Sequence, residues 1–249
     1  MRSRKKTYST RWSGMVFFIL ILSSCQKYAL FDSGDKVTTA FNLEDFTTLE
    51  IEDVFNLTLV SDTINKLIVT TGENLLDNIS YEITDHVLYL YNYNKFRWTR
   101  EYDRVDLTLH TNNLEKIHIR EPSNIKSEGI YKAEKLSIIG WSMVNQLNMI
   151  VDLDFLAINM GKSNSGEYRV SGHANRYHVS GWGSSFIYTH ELISNEVHVR
   201  QRSIGDVYVY ALDKLSIDIE TSGNVYYKGN PSLLDSTITG SGGLFRIND

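Results

Sequence analysis

Two pairs of carboxylates and three histidines are the side chains here whose types and spacing could do chemistry. Asp152 and Asp154 lie two residues apart, as do Asp218 and Glu220. Side chains two apart share one face of a strand. Two carboxyls in unlike surroundings can divide the roles of general acid and base, as glycan hydrolysis requires. No lysine or arginine column accompanies them, as lyase chemistry would want. Thirty acidic residues in a chain of 249 also generate such pairs by chance. His178 and His198 recur at an interval of twenty residues, with His118 at an earlier copy of the same unit. A metal centre needs three or four ligands in defined geometry, and two stacked imidazoles fall short of it. No Gly-rich loop stands between a strand and a helix to cradle phosphate. Neither catalysis, nor a metal, nor a cofactor is expected from these residues.

Cys25 carries a different chemistry. It is the only cysteine in the chain. Before it come a basic stretch (Arg2, Arg4, Lys5, Lys6, Arg11) and the apolar run Met15–Leu22. That run is too short to span a bilayer core but suits a secretory signal peptide. It ends Leu22-Ser23-Ser24-Cys25, which resembles a bacterial lipobox. The expectation is a signal peptide over residues 1–24, lipid on Cys25, and a polar tether from 25 to 42. Two or three acyl chains on one cysteine would anchor stably, where a single chain holds marginally. An Asp directly after the cysteine would mark inner-membrane retention. Gln26 stands there instead, so the outer membrane is expected, on its periplasmic face or at the cell surface.

Removing residues 1–24 takes away five basic residues and no acid. The remainder holds 20 basic against 30 acidic residues, a formal −10. Such a balance argues against nucleic acid, whose binding needs clustered Lys and Arg. Without a second cysteine no internal disulfide can form, so the core and backbone pairing must hold the domain.

The elements that must position these side chains read as β almost throughout. Leu49–Leu59, Lys66–Thr71, Ile79–Ile83, Val87–Asn92 and Val105–His110 carry period-two alternation or β-branched runs. From residue 117 a register of about twenty residues appears. Apolar pairs recur at Ile117/Ile119, Leu136/Ile138, Leu156/Ile158, Tyr177/Val179, Val197/Val199 and Leu215/Ile217, with a weaker copy at Leu234. A second apolar column holds Ile187, Val207, Val225 and Leu244. Each copy is too small to bury its own apolar face, so the copies must stack. A right-handed parallel β-helix of about seven short rungs is the simplest such object, over residues 43–249 and preceded by antiparallel hairpins. A leucine-rich repeat lacks its Asn or Cys here, and a β-sandwich would leave the register to accident.

The register also names an outer column. Tyr188, Tyr208, Tyr226 and Phe245 each follow an inward residue by one position. Trp141 and Trp182 occupy another column, with Gly161 between them and Arg202 one layer on. Such ladders brace a sheet by cross-strand stacking. They also offer an exposed aromatic surface to a glycan or a protein partner of the envelope or host.

Leu215-Ser-Ile-Asp-Ile-Glu-Thr-Ser-Gly-Asn-Val-Tyr-Tyr-Lys-Gly-Asn-Pro231, followed by Ser241-Gly-Gly-Leu-Phe245, resembles the tail of the head GIN domain family, described as "putative auto-transporter adhesin". The upstream hairpins and Leu114-Glu-Lys-Ile-His-Ile119 fit the same plan. The resemblance implies a β-helical, secreted or lipid-anchored bacterial protein of adhesin type, with no catalytic residues to transfer. The turns at Glu121, Trp141 and Arg202 depart from the family's Ser-Gly-Ser-Gly pattern.

Overall fold

A computed structural model describes residues 33–94, 104–141 and 145–248. The segment expected to be a signal peptide, residues 1–24, and Cys25 lie outside them. Eight strands come first: β1 (Lys36–Asn42), β2 (Thr48–Ile51), β3 (Asn56–Val60), β4 (Lys66–Gly72), β5 (Ile79–Thr84), β6 (Val87–Asn92), β7 (Asp106–His110) and β8 (Lys116–Ile119). Five long ones follow: β9 (Asn124–Gly140), β10 (Gln146–Met160), β11 (Glu167–Gly183), β12 (Phe186–Ser203) and β13 (Val207–Ile219). β14 (Val225–Lys228), β15 (Leu233–Ile238) and β16 (Leu244–Arg246) end the chain. A helical turn, Glu73–Leu76, lies between β4 and β5.

The parallel pairings make a β-solenoid of about six turns. One wall runs β3-β9-β10-β11-β12-β13-β14-β16. The other runs β2-β8-β9-β10-β11-β12-β13-β15. β9 to β13 belong to both walls, because each bends round the solenoid while staying paired to its neighbours.

Alternation fills the interior. On the first wall Leu57, Ile125, Leu147, Tyr168, Ile187, Val207 and Val225 stack, each no more than 2% exposed. On the second, Leu49, Ile117, Ile138, Ile158, Val179, Val199 and Ile217 do the same. The stack is therefore one continuous apolar column from layer to layer, as the repeat requires.

The register from Leu136 onward is the one the sequence repeat predicts. Its first copy is displaced: Ile117 pairs with Ile138, and Ile119 with Gly140. A two-residue slip keeps every side chain on its own face, so hydrophobic alternation cannot distinguish the two registers. The same slip removes His118 from the histidine column. It pairs with Ile139, whereas His178 does pair with His198.

The N-terminal strands both extend and close the stack. β2 and β3 join it in parallel, inserted between β6–β7 and β8–β9. β4 then runs antiparallel to β7, β1 antiparallel to β4, and β5 antiparallel to β6. β1 is drawn from the segment read as tether. Its Phe41 packs against the core, and the Thr38 and Thr70 hydroxyls meet at 3.0 Å. The β5–β6 turn is the two residues Asp85 and His86, both at positive φ as a tight hairpin requires.

The Ser-Gly turns of the last layers have a steric cause. A Cβ on Gly223 would meet the Gly205 carbonyl oxygen at 2.3 Å, and one on Gly242 would meet that of Gly223 at 2.2 Å. Backbones at this corner approach too closely for any side chain.

Candidate functional site

The outer side of the first wall carries the aromatic column. Tyr188, Tyr208, Tyr226 and Phe245 pair in successive layers. Ring centroids lie 5.2, 4.7 and 5.4 Å apart, with interplanar angles of 23°, 10° and 26°. Rings that near and that parallel must overlap face over face, since edge-to-edge rings could not approach so closely. The inner rings therefore spend their faces on one another. What they turn to solvent is ring edges and a row of phenol hydroxyls. Burial by its neighbours pushes the Tyr208 hydroxyl above the usual tyrosine range, with Asp206 adding to the effect.

The ladder has members that the aromatic pattern alone misses. Arg169 occupies the same column one layer before Tyr188, and its guanidinium lies 4.3 Å from that ring's centroid. Phe186 runs alongside Tyr188 at 6.4 Å, and His190 meets Tyr208 edge-on at 5.7 Å. Only strand pairing reveals Arg169, because a cation breaks the run of aromatic residues.

The tryptophans sit elsewhere, Trp182 near the end of β11 and Trp141 directly after β9. Trp141 is 52% exposed and lies over Gly161, where a Cβ would meet its ring at 2.9 Å. Trp182 pairs with Arg202 and is flanked by two cations, Lys162 at 5.3 Å and Arg202 at 5.0 Å. Arg202 in turn donates to Glu220 at 2.7 Å. The structure thus assembles the four ladder residues on one wall and leaves Trp141 and Trp182 on a different edge.

Continuing along the ladder's own wall, a groove of about 710 Å³ opens toward the N-terminal strands. Its outward side chains include Asn56, Asn124, Lys126, Gln146, Asn148 and Arg169. Asn124 donates to Asn56 at 3.1 Å and Asn56 to Asp106 at 3.0 Å, so one row of amides is locked. A smaller hollow of about 130 Å³ also touches Asn148 and Arg169 and reaches Tyr188 and His190. Groove and ladder are therefore continuous through Arg169.

In each carboxylate pair one carboxyl is tied to an arginine. Asp154 accepts from Asn175 at 2.9 Å and Arg176 at 3.0 Å, which hold its carboxyl below the usual range. Asp152 faces Lys132 at 3.6 Å and His173 at 3.7 Å. Glu220 is likewise held low, by Arg202 first and then Arg200. A general acid needs its pKa raised, and in each pair the group with a resolved shift moves downward. His118 is bonded through Nδ1 to Glu50, which also accepts from Arg120 at 3.0 Å. Among the described residues no group of three or more His, Cys, Asp or Glu could hold a metal ion.

Residues 45–231 match the family model described as "Putative auto-transporter adhesin, head GIN domain". No curated protein matches the chain. Among solved structures, one named a putative adhesin from Bacteroides fragilis is similar at TM-score 0.76 and 18% identity, over 86% of this chain and 97% of that one. One named a putative lipid binding protein from Parabacteroides distasonis is similar at TM-score 0.62 and 22% identity, over 86% and 97%. A further putative adhesin, from Parabacteroides merdae, gives 0.57 and 16%, over 86% and 97%. At these identities the likeness is one of fold.

Proposed function

This chain belongs to the head GIN domain family of adhesin-type cell-surface proteins, and from that premise we propose that it is a lipid-anchored binding module of the outer envelope. Cys25 holds the lipid, and a glycan or an envelope or host protein docks on the exposed outer strand faces. The single observation that carries this reading is the outward column of half-buried Tyr188, Tyr208 and Tyr226 with exposed Phe245, laid across four parallel layers beside an open groove. The ion-paired carboxylates support binding over catalysis. The neighbour named a lipid binding protein raises an acyl ligand as an alternative. The groove's outward amides and charges suit a polar ligand better than an acyl chain.

The test uses intact cells and three variants. Tyr188, Tyr208 and Tyr226 changed together to Phe keep the stack and remove the hydroxyl row. The same three changed to Ser remove both. Cys25→Ser removes the anchor. If the wall docks a partner, both triple variants lose adhesion to immobilised glycan or host matrix, with the fold intact by circular dichroism. Cys25→Ser should move the protein from the membrane to the soluble fraction. Unchanged adhesion in the Ser variant would sink the docking reading, and a membrane-bound Cys25→Ser protein would sink the anchor.

A further inference from the structure

We propose that the polar groove is a carbohydrate site, holding an oligosaccharide that runs across the strands, along the solenoid, toward Arg169 and the tyrosine hydroxyls. This deepens the docking reading above and rests on it. Three observations point to sugar. The first is the chemistry of the lining. Gln146 and Asn148 lie in adjacent outward columns of β10, exposed, with their amides free among the described residues. Exposed Lys126 stands one layer below Asn148 in the same column, and Arg169 one layer above it. Amides that both donate and accept, beside cations, match the hydroxyls and ring oxygens of a sugar chain.

The second is what the floor denies to other occupants. It is the middle of a sheet, where β9 is bonded to β3 and β10, and β10 to β11. Its backbone groups are already paired, so a peptide cannot add as another strand. Its apolar residues, Leu57, Ile125 and Leu147, point inward and are at most 2% exposed, so no pocket awaits an apolar side chain. The third is continuity. Asn148 and Arg169 line both the 710 Å³ groove and the 130 Å³ hollow at Tyr188, which makes one path across several layers. The Arg169 guanidinium is fixed on that path from two sides, stacked on Tyr188 and paired with Glu167.

The experiment is titration calorimetry on the full-length lipidated protein in detergent micelles. The probes are xylohexaose, mannohexaose, an oligogalacturonate and a Thr-Val decapeptide. At least one sugar should bind. The double variant Gln146→Ala/Asn148→Ala should weaken it about tenfold, the loss of one or two hydrogen bonds, with an unchanged melting temperature. Asn148→Arg, which fills the groove, should abolish it. The proposal is overturned if no sugar binds, if only the peptide binds, or if both variants bind sugar as the parent does. Loss of adhesion in the tyrosine variants alongside sugar affinity unmoved by the groove variants would leave the docking wall standing and remove the groove from it.

Discussion

At the scale of single residues, burial and stacking set the chemistry of the outer columns. His178 packs edge-on to Phe155 at 5.1 Å and to His198 at 5.6 Å. Burial first, then His198 and Arg176, lower its pKa from 6.5, against a weaker raising effect of Glu196. The folded protein thus holds this proton less tightly than the unfolded chain does. Below about pH 6.5 the unfolded chain binds more protons, so acid favours unfolding. The stability this site contributes is full well above that pH. It falls as pH drops through it and levels off below the depressed folded value. His178→Gln should therefore shrink the loss of melting temperature between pH 7.5 and pH 5, measured by scanning calorimetry. An unchanged pH profile would mean that His178 titrates as a free imidazole does. Buried phenols follow the same physics with opposite charge. Burial pushes Tyr131 up to about 12, and Tyr177 further, so both stay neutral at any physiological pH.

At the scale of elements, the turns decide which layers can close. Gly223 and Gly129 make an instructive pair. Gly223 faces carbonyl oxygens of Gly205 and Ser203, 2.3 and 2.4 Å from any added Cβ. Gly129 sits at φ +71° with nothing within 4 Å, so its constraint is torsional alone. Gly223→Ala should cost about 1–3 kcal/mol through overpacking, and Gly223→Asn at least as much. Gly129→Ala should cost roughly 1–2 kcal/mol through the left-handed backbone. Gly129→Asn should recover part of that, because Asn tolerates the conformation. Urea unfolding of the four variants separates the two mechanisms. If Asn rescues Gly223, the clash does not govern that turn. This contrast also shows what was legible beforehand. The inward columns from Leu136 onward, and the Tyr188-to-Phe245 ladder, repeat one residue class at one spacing, so their pairing could be read directly. The first copy could not, since a slip of two preserves alternation. Nor could the place of β2 and β3, whose partners lie nearly seventy residues downstream in β8 and β9. The groove was equally hidden. Its side chains come from β3, β7, β9, β10 and β11, and its amide row joins Asn56 to Asn124 and Gln146 across strand pairings that the repeat from residue 117 does not reach.

At the scale of the whole molecule, the two ends of the solenoid are built differently, and stability should follow. In a stack each layer is held mainly by its neighbours, so an end opens more readily than the middle unless it is capped. The N-terminal end is closed by antiparallel pairs, β1 on β4 and β5 on β6. Among the described residues the C-terminal end has no such closure. There β15 pairs only with β13 and β16 only with β14, and every residue of β15 is exposed, Leu233 by 64%. The apolar column itself lapses there, because Ser236 stands in the layer after Ile217. Native-state hydrogen exchange should accordingly be fastest in β15 and β16, slower in β14, and slowest in β10 to β12, whose amides have partners on both sides. The antiparallel N-terminal strands should fall between these extremes. Exchange that begins at β1 and β5 while β15 stays protected would show that something covers the C-terminal layer in solution. The aromatic ladder adds a second gradient to the same experiment. Phe245 and Tyr226 stack on the fraying layers, whereas Tyr188 is clamped by Arg169 in the protected ones. Breaking the stack at Tyr208→Ala should raise exchange in β14 and β16 and leave β10 and β11 untouched. The rigid end of the ladder is then the end that meets the groove, which is where a pre-organised hydrogen-bonding surface is of most use to a ligand.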